Sequence, residues 1–168
     1  MSRAKASSQP ESESYRPGRL MKKGRFELEV DNRLENLSVI SDFIDKAMRQ
    51  VGAREKSIAE VQLAVDEACS NIILYAYSGP KGIVKLGLEL AGDDLIVTIR
   101  DRGKPFDPTS VPPPDLEADL NERRIGGLGM YFMRKVMDEV SYSFDPEEGN
   151  KLTMRKHLIA NNRTLEGV

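Results

Sequence analysis

The stretch Val61-Gln62-Leu63-Ala64-Val65-Asp66-Glu67-Ala68-Cys69-Ser70-Asn71-Ile72-Ile73-Leu74-Tyr75-Ala76-Tyr77 reads as one helix, and it sets the kind of fold that must surround it. At about 100° per residue, Val61, Val65, Ala68 and Ile72 fall within about 60° of one another. They form an apolar stripe that has to be buried against another layer. Glu67 and Asn71 are one helical turn apart and share a face, about 100° to the side of the stripe's centre. A carboxylate and an amide on this border are close enough to the core to be held and close enough to solvent to meet a ligand. The carboxylate can serve as a base, and the amide oxygen can ligate a hard cation.

Outward from this helix the period alternates between two and three to four. Phe26, Leu28 and Val30 alternate with charged residues, as in a half-buried strand. Leu34, Leu37, Ile40, Ile44 and Met48 mark a helix reaching about Gln50. Ser57 is a candidate cap for the organising helix, although Arg54-Glu55-Lys56 can already belong to it. Beyond Tyr77, Ser78-Gly79-Pro80-Lys81-Gly82 reads as a loop. Ile83 to Leu90, the turn Ala91-Gly92-Asp93-Asp94 and Leu95 to Ile99 form a hairpin. Thr109 to Arg124 is too long and polar for a simple connection. A helix opens at Ile125-Gly126-Gly127-Leu128-Gly129, with Met130, Phe132, Met133, Val136 and Met137 as its apolar positions. A last hairpin joins Val140–Phe144 to Leu152–Leu158 through Asp145–Asn150. Strands in hairpins with helices between them predict an α+β fold. The expected form is a two-layer sandwich whose mixed, mostly antiparallel sheet is covered by helices on one face.

The chain has 168 residues, enough for one domain with a core. Residues 1–24 are expected to be a disordered basic tail, residues 25–160 the domain, and residues 161–168 a C-terminal tail. The net charge of -2 supplies no field to gather nucleic acid. No apolar run approaches the roughly 18 residues of a membrane span, and the start has no hydrophobic signal core. A cytoplasmic protein with no membrane partner is therefore expected. One histidine and one cysteine, His157 and Cys69, argue against a zinc site of nitrogen and sulfur ligands, and Cys69 has no intrachain partner for a disulfide. A hydrolytic triad would have only His157 to draw on.

Three clusters interrupt the framework where elements end. Glu67 with Asn71 is the first. Asp101 with Gly103, directly after a strand, is the second: an aspartate there can accept from an exocyclic amine, and a glycine lets a planar ring approach the backbone. Gly126-Gly127-Leu128-Gly129 at a helix start is the third, where free N–H groups attract phosphate. Each alone also has an ordinary reading, as a solvated helix pair, a turn-starting aspartate and a tight turn. The G-x-x-x-x-G-K-[ST] loop is missing, as are the H-R-D and D-F-G elements of ordinary protein kinases. A dinucleotide fold would place its glycines after the first strand.

Taken together and in this order, the clusters resemble the Bergerat-fold ATP-binding proteins, the histidine-kinase-like superfamily that includes gyrase and MutL. Within it they are most similar to the bacterial anti-sigma factor serine-protein kinases. The resemblance lies in Asp66-Glu67-Ala68-Cys69-Ser70-Asn71 with Ala76-Tyr77, in Asp101-Arg102-Gly103-Lys104-Pro105-Phe106-Asp107, in Gly126-Gly127-Leu128-Gly129-Met130 with Met133-Arg134-Lys135-Val136-Met137-Asp138, and in Gly149-Asn150-Lys151-Leu152-Thr153-Met154. It covers about residues 25–158, and departs at Tyr75, where many members have histidine. It implies ATP and Mg2+ as cofactors. Asn71 would ligate the magnesium, and Asp101 would read the adenine amine, helped through a water by Thr153. Gly103 would lie beside the base. Gly126, Gly127, Leu128 and Gly129 would cradle the phosphates, with Arg123 or Arg124 toward the terminal one. Glu67 would be the catalytic residue that orients or deprotonates the attacking hydroxyl, and residues 104–125 would be a lid. The implied function is phosphorylation of a serine on an anti-anti-sigma antagonist of STAS type and sequestration of a sigma factor, by a homodimer acting in stress-responsive transcription. The alternative is a nucleotide-binding interaction module that sequesters its partner without phosphoryl transfer.

Overall fold

Alternating apolar residues set the sheet, because successive strand side chains point to opposite faces and only one face here is apolar. The computed structural model describes residues 15–20, 24–79, 81–115 and 127–158. Its six strands are β1 (Tyr15–Leu20), β2 (Arg25–Asp31), β3 (Ile83–Ala91), β4 (Asp94–Asp101), β5 (Glu139–Asp145) and β6 (Gly149–His157). They form one sheet in the order β1-β2-β3-β4-β6-β5, and every pairing is antiparallel. Phe26, Leu28, Val30, Val84, Leu86, Leu88, Val97, Ile99, Leu152 and Met154 are buried. The helices α1 (Asn36–Gln50), α2 (Glu55–Asn71) and α3 (Gly127–Val136) join the same core through Ile40, Ile44 and Met48, through Val61, Ala64, Val65 and Ala68, and through Met130 and Met133. The expected α+β sandwich is thus the one observed.

Three expectations need correction. Residues 1–24 are not a tail throughout, since Tyr15–Leu20 forms β1 and pairs Tyr15 with Val30 and Leu20 with Phe26. The segment lacks the alternation of a half-buried strand and carries Pro17-Gly18, so composition hides it. The register shifts between Arg16 and Arg19, where that dipeptide sits, and an edge strand tolerates a proline at such an irregularity. Second, α2 begins at Glu55, so Ser57 is not its cap and the alternative, in which Glu55 and Lys56 already belong to the helix, is the one observed. Third, Phe132 is exposed, and Met137 completes the buried set with Met130 and Met133. Residues 1–14 and the C-terminal tail 161–168 lie outside the described residues. Among the described residues, no helix is long and apolar enough to cross a membrane.

Cys69 belongs to the wall between α2 and the sheet and is fully buried. Burial, with Asp66 and Asp101 nearby, pushes its thiol far up, so the thiolate needed for reaction does not form. Ellman's reagent is expected to find no thiol in the native protein and one after denaturation; fast reaction in native buffer would refute the packing.

Candidate functional site

The organising helix changes character at its C-terminal end. It is α-helical to Asn71 and then widens into a π-helical turn, Ile72–Ala76, instead of running unbroken to Tyr77. Such widenings recur at functional sites. Here the turn lets the Ala76 carbonyl accept from the Lys104 N–H at 2.7 Å, and Gly103 packs directly against it. A β-carbon on Gly103 would come within 2.6 Å of Ala76 Cβ and O, so this glycine is required by the helix end. Tyr77 then staples the strand ends: its hydroxyl accepts from the Arg102 N–H at 2.7 Å and its ring covers Gly82.

Asp101 ends β4 opposite Asn150 at the start of β6, and both are buried. Asp101 Oδ1 accepts from the Gly103 N–H at 2.8 Å and from Asn150 Nδ2 at 2.9 Å. Asn150 Nδ2 also donates to the Gly103 carbonyl at 3.0 Å, and its Oδ1 accepts from the Tyr142 hydroxyl at 2.6 Å. Asp101 Oδ2 has no hydrogen bond with any described residue. Since no buried side-chain oxygen or nitrogen among the described residues lacks a partner, Oδ2 is open to the adjoining space. Burial raises the proton affinity of Asp101, and the bonds from Gly103 and Asn150 only partly counter it.

Asn71 is held the same way, by one end. Its Nδ2 donates to the Glu67 carbonyl at 2.7 Å, which leaves Oδ1 without a partner among the described residues. The Glu67 carboxylate has neither a hydrogen bond nor an ion pair there. Desolvation, with a smaller push from Asp66, raises its proton affinity. A carboxylate with no cation and elevated basicity suits general-base work.

One cavity of about 740 Å3 joins Asn71 and Asp101. Asn71, Asp101, Gly127 and Asn150 line it, with Ala68, Ile72, Phe106, Val111, Met130 and Leu152 as apolar walls. That balance of apolar surface and a few polar groups is usual for small-molecule sites. The segment after β4 forms part of the wall and is pinned by Arg134, whose guanidinium donates to the carbonyls of Thr109 at 3.1 Å and Val111 at 2.6 Å. Asp107 caps the same turn through the Thr109 N–H and hydroxyl. Replacing Arg134 by methionine is expected to cost about 1–3 kcal/mol of stability and to speed amide exchange over residues 107–111. Exchange unchanged by mass spectrometry would show that the segment holds itself.

The histidine kinase-like ATPase domain family matches residues 30–156, which contain every element of this site. The chain belongs to the histidine kinase-like ATPase domain family. It is 28% identical over 138 residues to the serine-protein kinase RsbW of Staphylococcus aureus, covering 79% of this chain and 86% of that protein. The same protein from the strain Newman gives equal figures, 28% over 138 residues. Among solved structures, the RsbU and RsbW domains of a Mycobacterium tuberculosis protein align with a TM-score of 0.56 at 19% identity. That alignment covers 79% of this chain and 32% of the mycobacterial one, and at this identity the likeness is one of fold.

Within this histidine kinase-like ATPase domain, the structure gathers Asn71, Asp101 and Gly127 at one cavity and leaves other expected residues elsewhere. Glu67 does not line the cavity; its carboxylate lies over Gly129, two residues along α3 from Gly127. Leu128 and Gly129 are half-buried in the first turn of α3 and are not lining residues either, and Gly103 serves the helix end. Thr153 is a correction. It pairs with Thr98 on the sheet face opposite Asn150, Leu152 and Met154, so strand alternation points it away from Asp101. Asn150 is the Asp101 partner that sequence reading missed. The available signal was parity, since only even positions of β6 share the face of Asp101. Lys104 is a further exposed cation at the cavity that no motif marks as a site residue. Arg123, Arg124, Gly126 and the expected lid beyond Asp115 lie outside the described residues.

Proposed function

We propose that this chain is an ATP-dependent protein-serine kinase and anti-sigma factor. It phosphorylates a serine on an anti-anti-sigma antagonist of STAS type, and it sequesters a sigma factor until unphosphorylated antagonist displaces it. The observation that carries the reading is the pair of unpartnered oxygens, Asp101 Oδ2 and Asn71 Oδ1, bordering one largely apolar cavity. The similarity to the serine-protein kinase RsbW supports the choice of reaction. In this reading Asp101 accepts the adenine amine, the apolar wall covers the base, and the Gly127 backbone and Lys104 face phosphate, with Gly126 and Arg124 assigned there from sequence alone. Asn71 Oδ1 would be a protein ligand to Mg2+, which when bound offsets charge on the transferring phosphoryl group. No cluster of three or more acidic, histidine or cysteine ligands occurs among the described residues. This fits a magnesium ion that takes most of its ligands from phosphate and water. Glu67 receives the proton of the acceptor serine hydroxyl. The acting species is a cytoplasmic homodimer.

One observation favours the second reading, a nucleotide-binding module that sequesters its partner without transfer: Glu67 stands outside the cavity lining. Incubation with STAS-type antagonists and ATP labelled on its terminal phosphate separates the two. Phosphoserine on the antagonist supports the kinase; nucleotide binding with no labelled antagonist supports the module. Absence of Mg-ATP binding by calorimetry would refute both.

A further inference from the structure

Gly127 and Gly129 belong to one glycine-rich turn yet meet different surroundings. A β-carbon on Gly127 would find nothing within 4 Å, and this residue borders the cavity. A β-carbon on Gly129 would fall on the Glu67 carboxylate: it would overlap Cδ and Oε2, and even Oε1 would be only 3.0 Å away. Gly129 does not owe its identity to backbone conformation, since it lies within α3 and is not among the positive-φ glycines. Glycine is in fact a poor helix former, disfavoured against alanine at such a position. No hydrogen bond or ion pair with a described residue holds the Glu67 carboxylate. Among the described residues, the space left by the missing side chain of Gly129 is the feature that seats it.

We propose that Gly129 is a positioning residue for Glu67: the absence of its β-carbon makes the seat on α3 that holds the carboxylate toward the acceptor hydroxyl. The inference rests on the reading of Glu67 as the base. It separates two glycines that a motif treats alike, giving Gly127 to the nucleotide and Gly129 to the base. It also ties the base to α3, the helix whose first residue borders the cavity.

The test uses the full chain carrying Gly129→Ala, alone and combined with Glu67→Gln. The single variant is expected to slow transfer to the antagonist serine about ten- to a hundredfold, within the usual worth of a positioned base, while Mg-ATP affinity by calorimetry and thermal stability hold or rise. Adding Gly129→Ala to Glu67→Gln should slow transfer no further. A crystal structure of the variant should show the Glu67 carboxylate displaced from its place over residue 129. Weakened Mg-ATP binding with transfer intact at saturating nucleotide would overturn the proposal and make Gly129 a phosphate contact. Equal slowing in the presence and absence of Glu67, a fall in thermal stability, or a Glu67 carboxylate still seated over α3 would overturn it as well. Wild-type transfer, measured in the same assay, reports separately on the kinase reading, and the crystal structure stands without it.

Discussion

Replacing Glu67 by glutamine is expected to slow phosphoryl transfer to the antagonist by about 10²–10⁴ while Mg-ATP affinity stays unchanged, because a positioned base contributes on that order. The substitution keeps the side chain's size and its seat over Gly129, and it removes only the capacity to take a proton. Nucleotide binding should not register the change, since Glu67 lines no part of the cavity. The pH profile gives a second readout. The native Glu67 proton affinity is raised, chiefly by desolvation and secondarily by Asp66, so the acid limb of kcat/KM should lie above the ordinary glutamate value. Activity is lost as pH falls through that value, because the protonated carboxyl cannot accept the serine proton. The residual activity of Glu67→Gln should lack this limb. Unchanged transfer, or an acid limb that survives the substitution, would remove Glu67 from the chemistry. Transfer lost together with Mg-ATP affinity would place it in nucleotide binding instead.

The sequence made the framework legible because burial imposes its period on the chain. Phe26, Leu28 and Val30 had to share a face, and so did Val61, Val65 and Ala68, once a core of this size was required. The same pattern explains what stayed hidden. β1 pairs through its backbone at the sheet edge and carries Pro17-Gly18, so its composition reads as a tail. The π-helical turn after Asn71 is set by Gly103 and Lys104 closing on Ala76, a contact between residues far apart in sequence that helical periodicity cannot encode. At the site, Glu67, Asn71 and Asp101 were legible as polar groups at the ends of apolar elements. The motif as a string misplaces Thr153 because it carries no strand parity. Counting from Leu152 or Met154, both buried, puts Thr153 on the outer face and Asn150 beside Asp101. The different surroundings of Gly127 and Gly129 are not legible in the motif either, since they depend on where a side chain of α2 comes to rest on α3.

Asp101→Asn is expected to weaken Mg-ATP binding on the order of 100-fold without destabilising the empty protein. The asparagine is nearly isosteric, but its two ends differ. Its oxygen must occupy the Oδ1 position to keep the bonds from the Gly103 N–H and Asn150 Nδ2, which leaves its amide nitrogen where Oδ2 faced the cavity. The adenine amine, a donor, would then meet a donor. Losing a charge-assisted bond and leaving groups unpaired in a desolvated site is worth about 1.5–3 kcal/mol, a factor of roughly ten to more than a hundred. Stability should move the other way. Burial raises the Asp101 proton affinity even after the Gly103 and Asn150 bonds have acted, so the native state holds this proton more tightly than the unfolded chain. The resulting stabilisation is complete below the ordinary aspartate pKa and is lost as pH rises through the raised native value. At neutral pH the carboxylate is therefore a net cost that asparagine does not carry. Without nucleotide, the Tm of the variant should equal or exceed that of the wild type near pH 7, with the gap closing as acid protonates Asp101. Mg-ATP should raise the wild-type Tm by mass action and, at the same concentration, raise that of the variant far less. Wild-type affinity in the variant would assign the adenine amine to another acceptor. A lower Tm in the empty variant would show instead that the Asp101 charge holds β4 and β6 together, and its loss of binding would then follow from a damaged sheet end.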